Sequence, residues 1–189
     1  MTVYLIRHGK TAGNLHGRYI GCRTDEPLCS EGVAFLQRMT PPQVRRVYTS
    51  PMKRCLETAS ILYPDIEPCV VEDFRECDFG AFEGLNYAEL NGRADYQSWI
   101  DSGGEAAFPG GEGRASFARR SVRAFEALNL WRGEGDCALV VHGGTIMAVM
   151  EAFARPKGAY FDFQIPCGEG YALNEDGTYR RIDRPLDLQ

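Results

Sequence analysis

Three histidines occur in the 189 residues. Two of them, His8 and His142, each stand where a short apolar run ends, and each is followed by glycine. Arg7 precedes the first. A second arginine, Arg54, follows Ser50-Pro51, where another apolar run stops. Guanidinium and imidazolium groups suit a phosphate monoester, which carries about −1.5 to −2 charge at pH 7. Arginine is the better cation for this task, because its planar fork of donors matches phosphate oxygens. A helix opening after Gly143-Gly144 would aim backbone N–H groups at the same anion. The chain has no G-x-x-x-x-G-K-[ST] loop, which argues against nucleotide hydrolysis of the P-loop kind. No Asp/His cluster has convincing metal-ligand spacing, and the arginines already supply the charge that a metal would. Neither a metal nor a cofactor is expected. The bland alternatives are a buried structural imidazole for His8, a strand-end role for His142, a solvated helix residue for Arg54 and turn chemistry for Asn14.

These residues meet only if strands carry them to one edge. Thr2–Ile6 is a β-branched apolar run that predicts a buried first strand. Val44–Thr49 predicts a second, and Cys137–Val141 is a continuous apolar run of the kind found in parallel sheets. Ile66–Val71 is a further strand, placed at an edge by Pro68. Glu169–Leu173 and Thr178–Ile182 flank Glu175-Asp176-Gly177, a hairpin signal. Between the strands lie helical patterns. Ser30 is the expected cap of a helix through Met39, and Ser50-Pro51 the expected start of one that Pro64 stops. Asn86–Asn91, Ala94–Ile100, Ala115–Trp131 and Thr145–Phe153 are the others. Strands alternating with helices predict a three-layer α/β/α sandwich with a mostly parallel central sheet. Ligands of such sheets bind outside the carboxyl ends of the strands, where His8, Ser50 and His142 would lie. The Gly-rich stretch from Ser102 to Gly113 reads as a rim or lid, and the insertion around residues 75–113 decorates the sheet within a single domain spanning 1–189.

Composition narrows the function classes. Lys+Arg number 21 and Asp+Glu 26, for a net charge of −5. A general nucleic-acid binder shows a basic stripe, which this acidic chain lacks. No apolar run approaches the roughly 18 residues of a membrane span, and MTVYLIRHG is not a signal peptide. Seven cysteines, an odd count without C-x-x-C spacing, read as reduced thiols of a cytoplasmic protein, several of them buried. No surface stripe fixes an oligomeric state.

Arg7-His8-Gly9-Lys10-Thr11 matches an R-H-G-x-T signature. It is followed by Asn14, Asp25-x-Pro27-Leu28-x-x-x-Gly32, Ser50-Pro51-x-x-Arg54-x-x-x-Thr58-Ala59, Arg75-Glu76-x-x-x-Gly80-x-x-Glu83-Gly84 and His142-Gly143-Gly144. In order and spacing these blocks resemble the histidine phosphatase superfamily, which includes the cofactor-dependent phosphoglycerate mutases, and the resemblance spans nearly the whole chain. It implies that His8 is the nucleophile and forms a phosphohistidine. It implies that Arg7, Arg54 and a protonated His142 hold the phosphoryl oxygens, and that Glu76 is the general acid and base. Asn14, Thr11, Gly143, Arg18 and Glu112 are the implied substrate-side residues. Glu83 matches the pattern but more naturally shapes its loop, and the Asp25-x-Pro27-Leu28 block reads as structural. At Pro109-Gly110-Gly111-Glu112-Gly113 a glycine replaces the serine of many relatives.

The short chain and its brief helix after Ser30 resemble the small phosphatase branch, in particular α-ribazole phosphatase-like proteins. The features that carry this are Gly17-Arg18-Tyr19-x-Gly21, Phe108 to Glu112 and Tyr160 to Gly170. The expected activity is metal-independent hydrolysis of a small-molecule phosphate ester. The alternatives are a mutase-type phosphoryl transfer and a non-catalytic phospholigand-binding module. A proton donor at Glu76 argues against the module, because binding alone needs none.

Overall fold

A computed structural model describes residues 1–182. Its first strand, β1, is Thr2–Arg7. One turn of helix, α1 (Ala12–Leu15), and a second helix, α2 (Ser30–Leu36), follow. Next come β2 (Arg46–Thr49), α3 (Lys53–Leu62) and β3 (Cys69–Val70). The middle holds α4 (Tyr87–Leu90), α5 (Ala94–Asp101) and α6 (Arg114–Ala127). The chain returns to the sheet with β4 (Cys137–Val141), α7 (Gly143–Phe153), β5 (Gly170–Asn174) and β6 (Tyr179–Arg181).

The six strands lie in the order β3-β2-β4-β1-β5-β6. The pairs β1–β4, β2–β4 and β2–β3 are parallel, while β5 runs antiparallel to both β1 and β6. Strand alternation divides the core in two. Val3, Leu5, Leu139 and Val141 pack with Phe125 of α6 and with Ile146, Val149 and Met150 of α7. Ile6, Val47, Ala138 and Val140 face the other way, onto Leu36 of α2 and Cys55, Ala59 and Leu62 of α3. The result is the expected three-layer α/β/α sandwich with a mostly parallel sheet. A third cluster unites Phe82, Leu90 and Phe108 of the 75–113 insertion with Phe117 of α6. Gly80 is obligatory in this insertion: its φ is +54°, and a Cβ there would lie 2.3 Å from the Pro109 carbonyl oxygen.

Several expected boundaries are corrected. Helix α2 is capped by Cys29, whose Sγ accepts from Gly32 N at 3.4 Å, and it ends at Leu36 rather than Met39. Helix α3 begins at Lys53, and Ser50 Oγ accepts from Met52 N at 3.4 Å just ahead of its first turn. Asp25 adds a second cap, accepting from Lys53 N at 2.7 Å, so the Asp25-x-Pro27-Leu28 block is a brace for α3. Leu28 N donates to Glu57 Oε2 at 2.7 Å and fastens the block's other end. The edge strand expected over 66–71 shrinks to Cys69–Val70, beyond Pro68. Helix α6 stops at Ala127 because Asn129 takes left-handed dihedrals, φ 46° and ψ 45°, before a separate short turn at Leu130–Arg132. The hairpin signal holds, with β5 and β6 joined through Gly177 at φ +87°. All seven cysteines are free thiols, and Cys55, Cys77 and Cys137 are buried.

Candidate active site

Three parallel strands deliver the central residues. Their ladder continues one residue past each carboxyl end: His8 N donates to Val141 O at 2.9 Å, and Ser50 N to Val140 O at 3.2 Å. His8, Ser50 and His142 therefore stand side by side. The two imidazole rings meet edge to face, with centroids 5.2 Å apart.

His8 is 3% exposed. Its Nδ1 lies 2.7 Å from the Gly9 carbonyl oxygen. A carbonyl only accepts, so Nδ1 carries the proton and Nε2 keeps its lone pair. Burial first, then the charges of Arg54 and Arg7, hold the His8 pKa well below its ordinary value, so the ring is neutral near pH 7.

His142 Nε2 lies 2.8 Å from Ser50 Oγ. The serine hydroxyl expected at the helix start thus also meets this imidazole, a contact that sequence spacing does not signal. Burial again, with Arg54, His8 and Arg7 behind it, depresses the His142 pKa well below 6.5. The Glu76 carboxyl is 3.8 Å from Nδ1, too far for a hydrogen bond to reverse this. In the unliganded protein His142 is therefore neutral, and the protonated form implied by the resemblance concerns the phosphate complex. A phosphate dianion arriving beside it would favour the charged form.

Arg54, the second residue of α3, is wholly buried. Nη1 donates to Thr24 O at 3.0 Å and Nη2 to Gly21 O at 3.1 Å, while Nε has no partner. Arg7 donates to Ile165 O at 2.6 Å, and its buried Nε is also unpartnered. Two guanidinium groups so placed carry positive charge with donors left over. Burial raises the Glu76 pKa above the usual carboxylate range, against a hydrogen bond from Cys77 N and the charges of Arg54, Arg7 and Arg120. Glu76 packs on Gly144, where a Cβ would sit 3.0 Å from Oε1.

Above these groups opens a cavity of about 520 Å³. Arg7, His8, Asn14, Glu76, Gly143 and Arg18 line it, whereas Arg54 and His142 lie behind its floor. Asn14 Oδ1 accepts from Thr11 N at 3.1 Å, which leaves the amide donors for a ligand. Three substrate-side expectations change. Thr11 does not line the cavity; its hydroxyl caps α1 by accepting from Asn14 N. Glu112 does not line it either, because its carboxylate is held by Arg120 at 2.7 Å. Arg18 reaches the wall, but its guanidinium pairs with Glu89 at 2.8 and 3.0 Å. Glu83 shapes its loop, accepting from Gly21 N at 2.9 Å.

The outer wall is aromatic. Trp99 stacks on Phe108 with centroids 5.0 Å apart, and Tyr19, Phe79, Tyr160 and Phe161 complete it. Lys10, Arg18 and Arg114 at the mouth are each paired, with Glu31, Glu89 and Glu105. Cys167 also lines the cavity and has no distinguishing spacing in the sequence. Among the described residues, no group of three or more His, Cys, Asp or Glu is placed to hold a metal ion. None of the described helices is long and apolar enough to cross a membrane.

The sandwich with paired histidines at its carboxyl edge is the phosphoglycerate mutase-like α/β architecture. The chain belongs to the histidine phosphatase superfamily, whose branch 1 model matches residues 3–185. It is 25% identical over 204 residues to the adenosylcobalamin/alpha-ribazole phosphatase of Salmonella typhimurium, covering 98% of this chain and 100% of that one. It is 30% identical over 169 residues to a metal-independent phosphoserine phosphatase of Arabidopsis thaliana, covering 83% and 70%. Among solved structures it superposes on a phosphoglycerate mutase from Thermus thermophilus with a TM-score of 0.75 and 29% identity, over 97% of this chain and 99% of that one.

Proposed function

We propose that the protein hydrolyses phosphate monoesters without a metal ion, through a phosphohistidine on His8, and that it does so as one domain whose 75–113 insertion walls the substrate cavity. The observation that carries this reading is the 2.7 Å contact of His8 Nδ1 with Gly9 O, which presents an unprotonated Nε2.

Nε2 attacks phosphorus, and the ester P–O bond breaks as the leaving oxygen takes the proton of Glu76. Arg7 and Arg54 stabilise the charge on the equatorial oxygens, joined by Asn14, by the N–H groups at the start of α7 and by a His142 that becomes protonated as phosphate enters. The Glu76 carboxylate then draws a proton from water, which attacks the phosphohistidine. Phosphate leaves, and His8 and Glu76 return to their starting states.

The aromatic wall and the paired cations at the mouth favour an alcohol that is flat and uncharged. Together with the alpha-ribazole phosphatase relative, they support an α-ribazole-like phosphate as substrate. Free thiols suit a reducing compartment such as the cytoplasm.

The test is to quench the enzyme during turnover of a labelled ester in EDTA. Acid-labile, base-stable label is expected on the wild type and none on His8→Ala, with phosphate released from α-ribazole phosphate. Label on another residue, or dependence on a restored metal, would overturn the mechanism. Conversion of 3-phosphoglycerate to its 2-isomer without phosphate release would point to the mutase reaction.

A further inference from the structure

A partly buried salt bridge next to Glu76 has no part in the mechanism. Arg120, on α6, has its side chain 22% exposed and pairs with Glu112, whose side chain is 20% exposed. Its Nη1 donates to two backbone carbonyls, Asp73 O at 2.7 Å and Arg75 O at 2.8 Å. Nε and Nη2 donate to the two Glu112 oxygens at 3.3 and 2.7 Å. Arg75 O belongs to the peptide unit that carries Glu76 N. Arg120 therefore holds the main chain immediately before the proton donor.

Glu112 grips the far side. Its backbone N donates to Asp78 O at 2.8 Å. One salt bridge thus spans the chain on both sides of Glu76. The Arg120 guanidinium also lies over the Phe117 ring, 5.1 Å from its centroid. Phe117 in turn packs against Gly144, where Glu76 Oε1 rests.

The Glu76 carboxyl needs such support. It accepts from Cys77 N at 2.9 Å, and its other oxygen is only within 3.8 Å of His142 Nδ1. With so few bonds of its own, its place is set by the backbone that bears it. A displacement of about 1 Å can cost ~10²-fold in rate.

We propose that Arg120, oriented by Glu112, is the positioning residue of the proton donor, fixing the 73–78 segment so that Glu76 meets the leaving oxygen. This rests on the proposed role of Glu76. Arg120 does not line the cavity and acts through the backbone that carries Glu76. The site needs arginine rather than lysine, because a rigid fork is required to serve two carbonyls and a carboxylate together.

The test compares single-turnover rates on an alkyl phosphate and on p-nitrophenyl phosphate, whose weakly basic leaving group needs little help from an acid. Arg120→Gln is expected to lose about 10- to 100-fold on the alkyl ester and at most a few-fold on the nitrophenyl ester. Inhibition by inorganic phosphate should be unchanged, and Arg120→Lys should restore part of the alkyl rate. Equal losses on the two esters, or a parallel weakening of phosphate inhibition, would overturn the proposal. If Arg120→Gln does not fold, Glu112→Gln answers the same question: a smaller loss confined to the alkyl ester supports the brace, and an equal loss refutes it. Glu76→Gln run alongside separates the two readings. If it shows the leaving-group dependence and the Arg120 and Glu112 variants do not, only the brace falls. If Glu76→Gln lacks it, the proton-donor assignment falls as well.

Discussion

A hydrogen bond to the next residue's carbonyl sets the tautomer of His8, and burial with two arginines keeps the ring neutral. The same environment depresses His142. This ties stability to pH. In the unfolded chain both rings titrate near their ordinary value, about 6.5. Below that pH the unfolded state binds protons that the folded rings refuse, so stability rises with pH across this window and falls on acidification. The urea midpoint is expected to drop between about pH 7.5 and pH 5.5, and inorganic phosphate should reduce the drop by stabilising a charged His142. An unchanged midpoint would mean that the folded histidines titrate normally.

At the scale of elements, the groups proposed for catalysis are held by chain segments rather than by each other. Arg54 is fixed by Thr24 O and Gly21 O, and the adjoining Asp25 caps the helix that carries it. Asp25→Ala is expected to cost about 1 kcal/mol in urea unfolding, as the loss of a helix cap does. Because the loop that anchors Arg54 loosens with it, phosphate inhibition should weaken too. A stability loss with phosphate affinity intact would separate the cap from the anchor. Ser50 shows how a local signal and a tertiary contact share one side chain. Ser and Pro at a helix start are a local signal, and Ser50 Oγ does accept from Met52 N at 3.4 Å, but the strand ladder also sets it 2.8 Å from His142 Nε2.

Across the whole molecule, the sheet supplies the polar floor, and the insertion supplies much of the aromatic wall. Trp99 comes from α5 and Phe108 from the Gly-rich stretch, while Tyr160 and Phe161 follow α7. Removing Trp99 takes apolar surface from this wall, worth about 1.5–3 kcal/mol for a large side chain when fully covered. Trp99→Ala should therefore raise KM for an aryl or α-ribazole-type ester by ~10-fold or more. The effect on glycerol phosphate should be small. Equal effects on both would place the alcohol elsewhere.

The sequence by itself determined the layered α/β class, because strand runs and helical periods are local patterns of apolar residues. It also determined the identities gathered at the sheet edge. His8, Ser50 and His142 follow directly on strands, and a parallel ladder brings strand ends together. Only the tertiary structure decided what each group is free to do. Thr11 and Glu112 matched substrate-side positions, yet a cap and a salt bridge occupy them. In the sequence Arg120 is one arginine among several on α6, and only the fold shows it gripping the backbone before Glu76. The charge of His142 was likewise beyond reach of the motif, since burial and neighbouring arginines set it. Residue type and spacing are carried along the chain, but desolvation and the allocation of hydrogen bonds depend on neighbours distant in sequence, which exist only once the chain has folded.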